Sequence, residues 1–216
     1  MIRANNIKNI LTIFILIFIL NACSSKTEEY NKPALYWYNK ILKHISMAEL
    51  EEADDTFISL ESEHRNSPLI PSAILILVEA HMQNEEYVLA NFYLDEYLKR
   101  FALSKDVDYI RYLKIKSNFK GFKRQNRDQV LIDDTLVQID DFEKRYSNSK
   151  YMPLVQTIKT RLMISKSLMD KDISELYKRR DKPKAQEYYL EKSKESWEYT
   201  DEVEKPYVPI IRRVFE

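Results

Sequence analysis

The chain has 216 residues, 34 basic and 34 acidic, with a single glycine (Gly121) and a single cysteine (Cys23). One glycine effectively excludes phosphate-cradling loops, dinucleotide folds and sheets built on tight turns, all of which need backbone freedom and close approach. Balanced charge argues against a nucleic-acid module, and a lone cysteine rules out a disulfide framework.

At the N-terminus, Arg3 and Lys8 precede an apolar run from Ile10 to Leu20. It is too short for a permanent membrane span but suits the hydrophobic region of a secretory signal. The run ends Leu20-Asn21-Ala22-Cys23, which resembles a bacterial lipoprotein lipobox with Asn21 where Ala or Ser is usual. That resemblance implies that Cys23 is acylated and becomes the first mature residue; the alternative is a cysteine that merely follows an uncleaved signal anchor. Residues 1–22 are then a leader, and 23–32, polar and aperiodic, a lipidated tether. Loss of Arg3 and Lys8 leaves 32 basic against 34 acidic residues in a mature chain of 194. At ~0.8 kcal/mol per buried methylene, two or three acyl chains make attachment effectively permanent. Ser24 rather than Asp after the cysteine implies, by the same resemblance, the periplasmic face of the outer membrane.

The body, residues 33–198, reads as helical hairpins. A first hairpin spans about Pro33 to Arg65, with Ala34, Trp37, Ile41 and His44 on one face of its first helix. The next pairs Pro71 to about Met82, carrying Ile74, Leu77, Val78 and His81, with about Glu86 to Phe101. That second helix carries Tyr87, Ala90, Leu94, Tyr97 and Phe101 at gaps of 3, 4, 3 and 4, a single buried stripe. The stripe recurs as Leu50, Ala53, Phe57, Leu60, His64 and as Ile132, Thr135, Ile139, Phe142, Tyr146, followed by Ser67, Ser104 and Ser149. Small residues at the second place let helix backbones approach. Trp37 sixteen residues before Ala53 matches the tetratricopeptide pattern, at an interval of 37 rather than about 34. The expected fold is all-α, a tetratricopeptide-like solenoid of about four to five helix pairs; the alternative is an ordinary bundle with chance spacing. A third hairpin begins near Val107. Its two helices are separated by a basic segment, Lys120 to Asp128, read either as a solvated connector or as a partner-binding loop. A fourth unit runs from Tyr151 through Leu154, Ile158, Leu162 and Leu168 to about Arg180. A weaker helix from Ala185 to about Trp197 reads as a terminal cap. Residues 199–216 form a tail rich in proline, apolar side chains and arginine, which packs back as a lid or docks on a partner.

No catalytic constellation emerges. His44, His64 and His81 lack metal-ligand spacing, and the latter two sit on repeat faces. The pairs Asp54-Asp55, Asp133-Asp134 and Asp140-Asp141 are expected on solvated helix surfaces, since adjacent helical residues point about 100° apart. No enzyme, metal or cofactor is expected.

Several segments resemble the BamD family of outer-membrane lipoproteins of the β-barrel assembly machinery. Asp106-Val107-Asp108-Tyr109-Ile110-Arg111-Tyr112 is similar to that family's Asp-Tyr-x-x-Tyr, and Gly121-Phe122 with Asn126-Arg127-Asp128 to its third-repeat loop. Phe142 to Tyr151 is similar to its Tyr-Pro-x-Ser-x-Tyr element, with Ser147 in place of proline. Arg161-Leu162 and Glu175-Leu176-Tyr177 to Arg180 resemble its fourth and fifth repeat helices. Two departures are His64, where many members have tyrosine, and the proline-rich tail. The resemblance implies a non-enzymatic scaffold for a BamA-like barrel subunit and other assembly-complex lipoproteins, receiving unfolded outer-membrane proteins. An extended peptide ending in an aromatic residue needs aromatic pockets with polar tips, for which Trp37, Tyr38, His64, Tyr87 and Tyr93 are the groove candidates. Phe122, Arg124, Arg127, Tyr177 and Arg180 are the partner-binding candidates. The rival reading is a repeat lipoprotein scaffold for Tol or peptidoglycan partners.

Overall fold

The computed structural model describes residues 29–103, 105–122 and 129–203. The leader, Cys23, Ser104, Arg124, Arg127 and the tail beyond Val203 lie outside the described residues. Among the described residues there are eight α-helices and no strand. They pair as α1 (Ala34–Ser46) with α2 (Leu50–Glu63), and α3 (Leu69–Gln83) with α4 (Tyr87–Arg100). Then come α5 (Val107–Gly121) with α6 (Gln129–Arg145), and α7 (Met152–Arg179) with α8 (Pro183–Ser196), closed by a 3-10 turn at Thr200–Glu202. Contacts between α1 and α3, α2 and α3, α4 and α5, and α5 and α7 stack each pair on the next, as in a solenoid.

The turn inside three of the hairpins is one device repeated. Ala48, Glu85 and Asp181 take left-handed backbone, with φ of 58°, 61° and 53°. In each case the following N–H donates to the carbonyl five residues back: Glu49 to His44 at 2.9 Å, Glu86 to His81 at 2.8 Å and Lys182 to Tyr177 at 3.1 Å. This is the Schellman closure, usually built on glycine and here built without it. Its presence between α7 and α8 makes that pair a repeat of the same kind as the first two. The segments expected to be separate fourth and fifth repeat helices lie on the single 28-residue α7. The reason is local: from Leu154 to Lys182 there is neither glycine nor proline to end a helix.

The exits from α2 and α6 also match. His64 and Tyr146 each donate one last N–H to the carbonyl four residues back, and the following serine, Ser67 or Ser149, accepts the N–H two residues on at 3.2 Å. That leads the chain directly into the next helix. Ala53, Ala90 and Thr135 are all buried, at 0%, 0% and 1% exposure, so each copy of the stripe faces a neighbouring rod. Thr135 returns its hydroxyl to the Leu131 carbonyl at 2.6 Å, which removes the cost of burying it.

Two apolar clusters follow the stack. One runs from Trp37 to Leu113, the other from Ile115 to Met169, and Tyr112 packs against both. In the second, Val155 rather than Leu154 turns inward, and Leu154 is exposed. The last pair is held by polar groups as well as by a stack of Tyr177 on Tyr189. Ser167 donates to the Ser193 carbonyl at 2.7 Å while Ser193 donates to the Ser167 carbonyl at 2.9 Å, and Ser174 donates to the Gln186 carbonyl at 2.9 Å. Serine's small side chain permits the close approach, and the reciprocal bonds satisfy every hydroxyl buried there.

Candidate functional site

Between α4, α5 and the first turn of α6 the stack opens into a cleft of about 480 Å³. Val88, Leu89 and Leu131 supply apolar lining, with Tyr87, Gly121, Glu85 and Glu86 also lining it. The one glycine has a steric reason here: a Cβ on Gly121 would meet the Tyr87 Cβ at 3.3 Å. Its absence lets α5 approach the aromatic ring. Val88 and Phe92 are exposed beside the cleft, on the face of α4 opposite its buried stripe.

The polar groups in this region form a row of side-chain amides contributed by successive helices. Asn91 of α4 donates to Asn118 of α5 at 2.7 Å, and Asn118 donates to Gln138 of α6 at 3.1 Å. At the start of the row the Asn91 Oδ1 is buried without a partner among the described residues. A buried acceptor left open is costly. Exposed apolar walls in a cleft of this size suit an extended peptide, whose side chains want hydrophobic cover.

The groove candidates read from the sequence do not converge on one surface. Trp37 is 2% exposed, its indole N–H donating to Glu63 Oε2 at 2.8 Å. Tyr38 is half-buried against the first cluster. His64 closes α2, its Nε2 lying 2.6 Å from the Lys32 carbonyl. Tyr93 is buried, donating to Asp54 at 2.6 Å, whereas Tyr87 is half-buried and lines the cleft. Of the partner candidates, Phe122 is half-buried at the end of α5, Tyr177 stacks on Tyr189 at 5.5 Å, and Arg180 is exposed where α7 ends. Exposed Tyr188, Leu190 and Tyr199 accompany that pair at the end of the solenoid. Sequence reading missed Val88, Leu89, Asn91 and Asn118. The available signal was the first two: apolar residues on α4 that fall off its buried stripe.

One expected surface pair is partly interior. Asp54 is half-buried, accepting from Tyr93 and lying 3.0 Å from His81 Nε2, while Glu86 lies 2.6 Å from His81 Nδ1. Asp54 moves inward because α3 and α4 cover that side of α2. His81 is fully buried with a carboxylate against each ring nitrogen, an arrangement that favours the imidazolium, in which both nitrogens donate. Burial pushes its pKa down, but the bonds to Asp54 and Glu86 outweigh it and the net shift is upward. Burial and the Asp54 bond raise the Tyr93 phenol strongly. The His81 ring is closed to solvent while Asp54 and Glu86 stay partly exposed, and the cluster joins α2, α3 and α4. Among the described residues no group of three or more His, Cys, Asp or Glu is placed to hold a metal.

Fold and cleft together define a helical-hairpin scaffold of tetratricopeptide type with a peptide-sized groove. The chain belongs to the YfiO family of outer membrane lipoproteins, whose family model matches residues 30–191. It is 38% identical over 218 residues to the outer membrane protein assembly factor BamD of Helicobacter pylori, covering 99% of both chains. It is 26% identical over 120 residues to the protein of the same name from Caulobacter vibrioides, covering 56% of this chain and 39% of that one. The chain is accordingly a lipid-anchored outer-membrane protein, and no described helix is long and apolar enough to cross a membrane.

Proposed function

We propose that this lipoprotein serves in outer-membrane protein assembly as a docking platform without chemistry of its own. Segments of unfolded outer-membrane proteins are received in the α4–α6 cleft, and a BamA-like barrel subunit is held at the α7–α8 end. The observation that carries the reading is the exposed apolar lining of the cleft, with Val88 84% and Leu89 42% exposed, which offers cover to the side chains of an incoming strand. The relatives' name, outer membrane protein assembly factor, supports the process. At the other end, stacked Tyr177 and Tyr189 beside exposed Arg180 suit a folded partner, since aromatic and arginine side chains dominate such contacts.

A photoreactive phenylalanine analogue at Val88 or Leu89 in living cells tests the cleft. Crosslinks to newly made barrel precursors are expected there, and not at Ile58 of α2 or Val137 of α6, both exposed elsewhere. Equal labelling at all four positions overturns the cleft assignment. Crosslinks to peptidoglycan-associated proteins at Val88 favour the rival scaffold.

Cys23 is the attachment point in this reading, because it is the only cysteine and stands at the lipobox boundary. Cys23→Ser is expected to abolish acyl labelling and release the chain from the membrane fraction. Acyl label retained on the serine variant would place the anchor elsewhere.

A further inference from the structure

Helix α1 has an outer face that the described residues leave uncovered. Trp37 and Ile41 point inward, while Leu35, Asn39, Leu42 and Ser46 form one outward row. Leu35 is 58% exposed and Met47 56% exposed, with Leu42 and Tyr36 also at the surface. From Tyr30 to Ala48 there is no acidic residue, and Lys32, Lys40 and Lys43 lie among the apolar groups. Lys32 lies over the Tyr36 ring at 5.7 Å, and Lys40 reaches Glu29 at 2.9 Å, so Lys43 is the most outward charge. The neighbouring α2 presents the opposite character, with Glu51 and Asp55 exposed along its outer side. A helix with apolar groups interleaved with lysines suits the headgroup layer of an anionic bilayer.

The covalent geometry brings that layer within reach. The segment from Cys23 to Glu29 spans at most about 20 Å even when fully extended. Beyond it the chain is pinned: the Asn31 and Lys32 N–H groups both donate to the Glu63 carboxylate, at 2.8 and 3.1 Å. The start of α1 therefore cannot drift from the anchor independently of the body. We infer that the outer face of α1 lies on the anionic surface of the membrane holding the anchor, fixing the orientation of the solenoid. This inference rests on acylation at Cys23.

Because acylation consumes the only native cysteine, one introduced thiol can be labelled uniquely. The acylated full chain, carrying Leu35→Cys or Leu42→Cys with an environment-sensitive fluorophore, is placed in vesicles of phosphatidylethanolamine and phosphatidylglycerol. Labels at 35 and 42 are expected to be shielded from a water-soluble quencher about three-fold or more relative to labels at Ile58→Cys and Val137→Cys. Adding Lys40→Glu and Lys43→Glu is expected to remove the shielding while the chain still floats with the vesicles. Equal quenching at all four sites on floating chains would overturn the inference. So would shielding that arises only when a purified barrel subunit is added, which would make the face a protein interface. Failure to float at all would overturn the Cys23 anchor, and the inference with it.

Discussion

Trp37→Ala is expected to lower stability by about 3–5 kcal/mol, the range for deleting a large aromatic from a packed core. Trp37 is 2% exposed, touches the cluster that runs to Leu113, and packs edge-on against Tyr36 at 5.4 Å. Its indole N–H is also one of three donors converging on Glu63, with the Asn31 and Lys32 amides. The loss thus includes apolar contact and the pin that holds the start of the body to the end of α2. Urea unfolding measures the total, and Trp37→Phe separates the parts by keeping most of the ring while removing the N–H. The Glu63 carboxyl is held below its usual range by the Trp37 bond first and by the two backbone amides, against some burial. A lowered folded pKa stabilises above the unfolded carboxylate value, near 4.3, and that contribution disappears as pH falls through the folded value. Trp37→Phe is therefore expected to flatten stability against pH on the acid side. An unchanged acid limb in the phenylalanine variant would rule out the indole as the main cause.

His81→Leu is expected to cost about 2–4 kcal/mol near pH 6, from the loss of two charge-assisted hydrogen bonds at a buried site. Asp54 would keep its bond from Tyr93, which limits the damage. The pH dependence has the opposite sense to that of Glu63. The folded pKa of His81 is raised, so the folded chain binds the proton more tightly than the unfolded chain. Its contribution is complete below the unfolded value near 6.5 and is lost as pH rises through the higher folded value. The parent chain should lose stability on the alkaline side of neutrality more steeply than His81→Leu. Chemical denaturation at a series of pH values between about 6 and 9 reads this directly. Parallel slopes would mean that the folded chain holds no extra proton at the His81 cluster in this range.

The helical stripes were legible because a 3.6-residue period is a property of one helix. Ala53, Ala90 and Thr135 were recognisable as the close-contact position from spacing alone, and all three are buried. The lipobox and family motifs were likewise local, and they led to the outer-membrane lipoprotein family. Leu154 and Val155 show where periodicity falters: at a helix start either neighbour can take the inward position, and the direction of the preceding turn decides. The continuity of α7 was written in the absence of glycine and proline, but repeat matching divided it.

What the chain's own sequence determined was composition, helix type, interval and anchor, because each depends on residues within one or two turns of each other. Only tertiary structure decided which aromatic rings remained for binding. Tyr93 is interior because Phe57 and Asp54 of another helix meet it, while Tyr87 lines a cleft because Gly121 lets α5 approach. The amide row from Asn91 through Asn118 to Gln138 joins residues 27 and 20 positions apart. No local period registers such a pairing; it exists only once the rods are stacked.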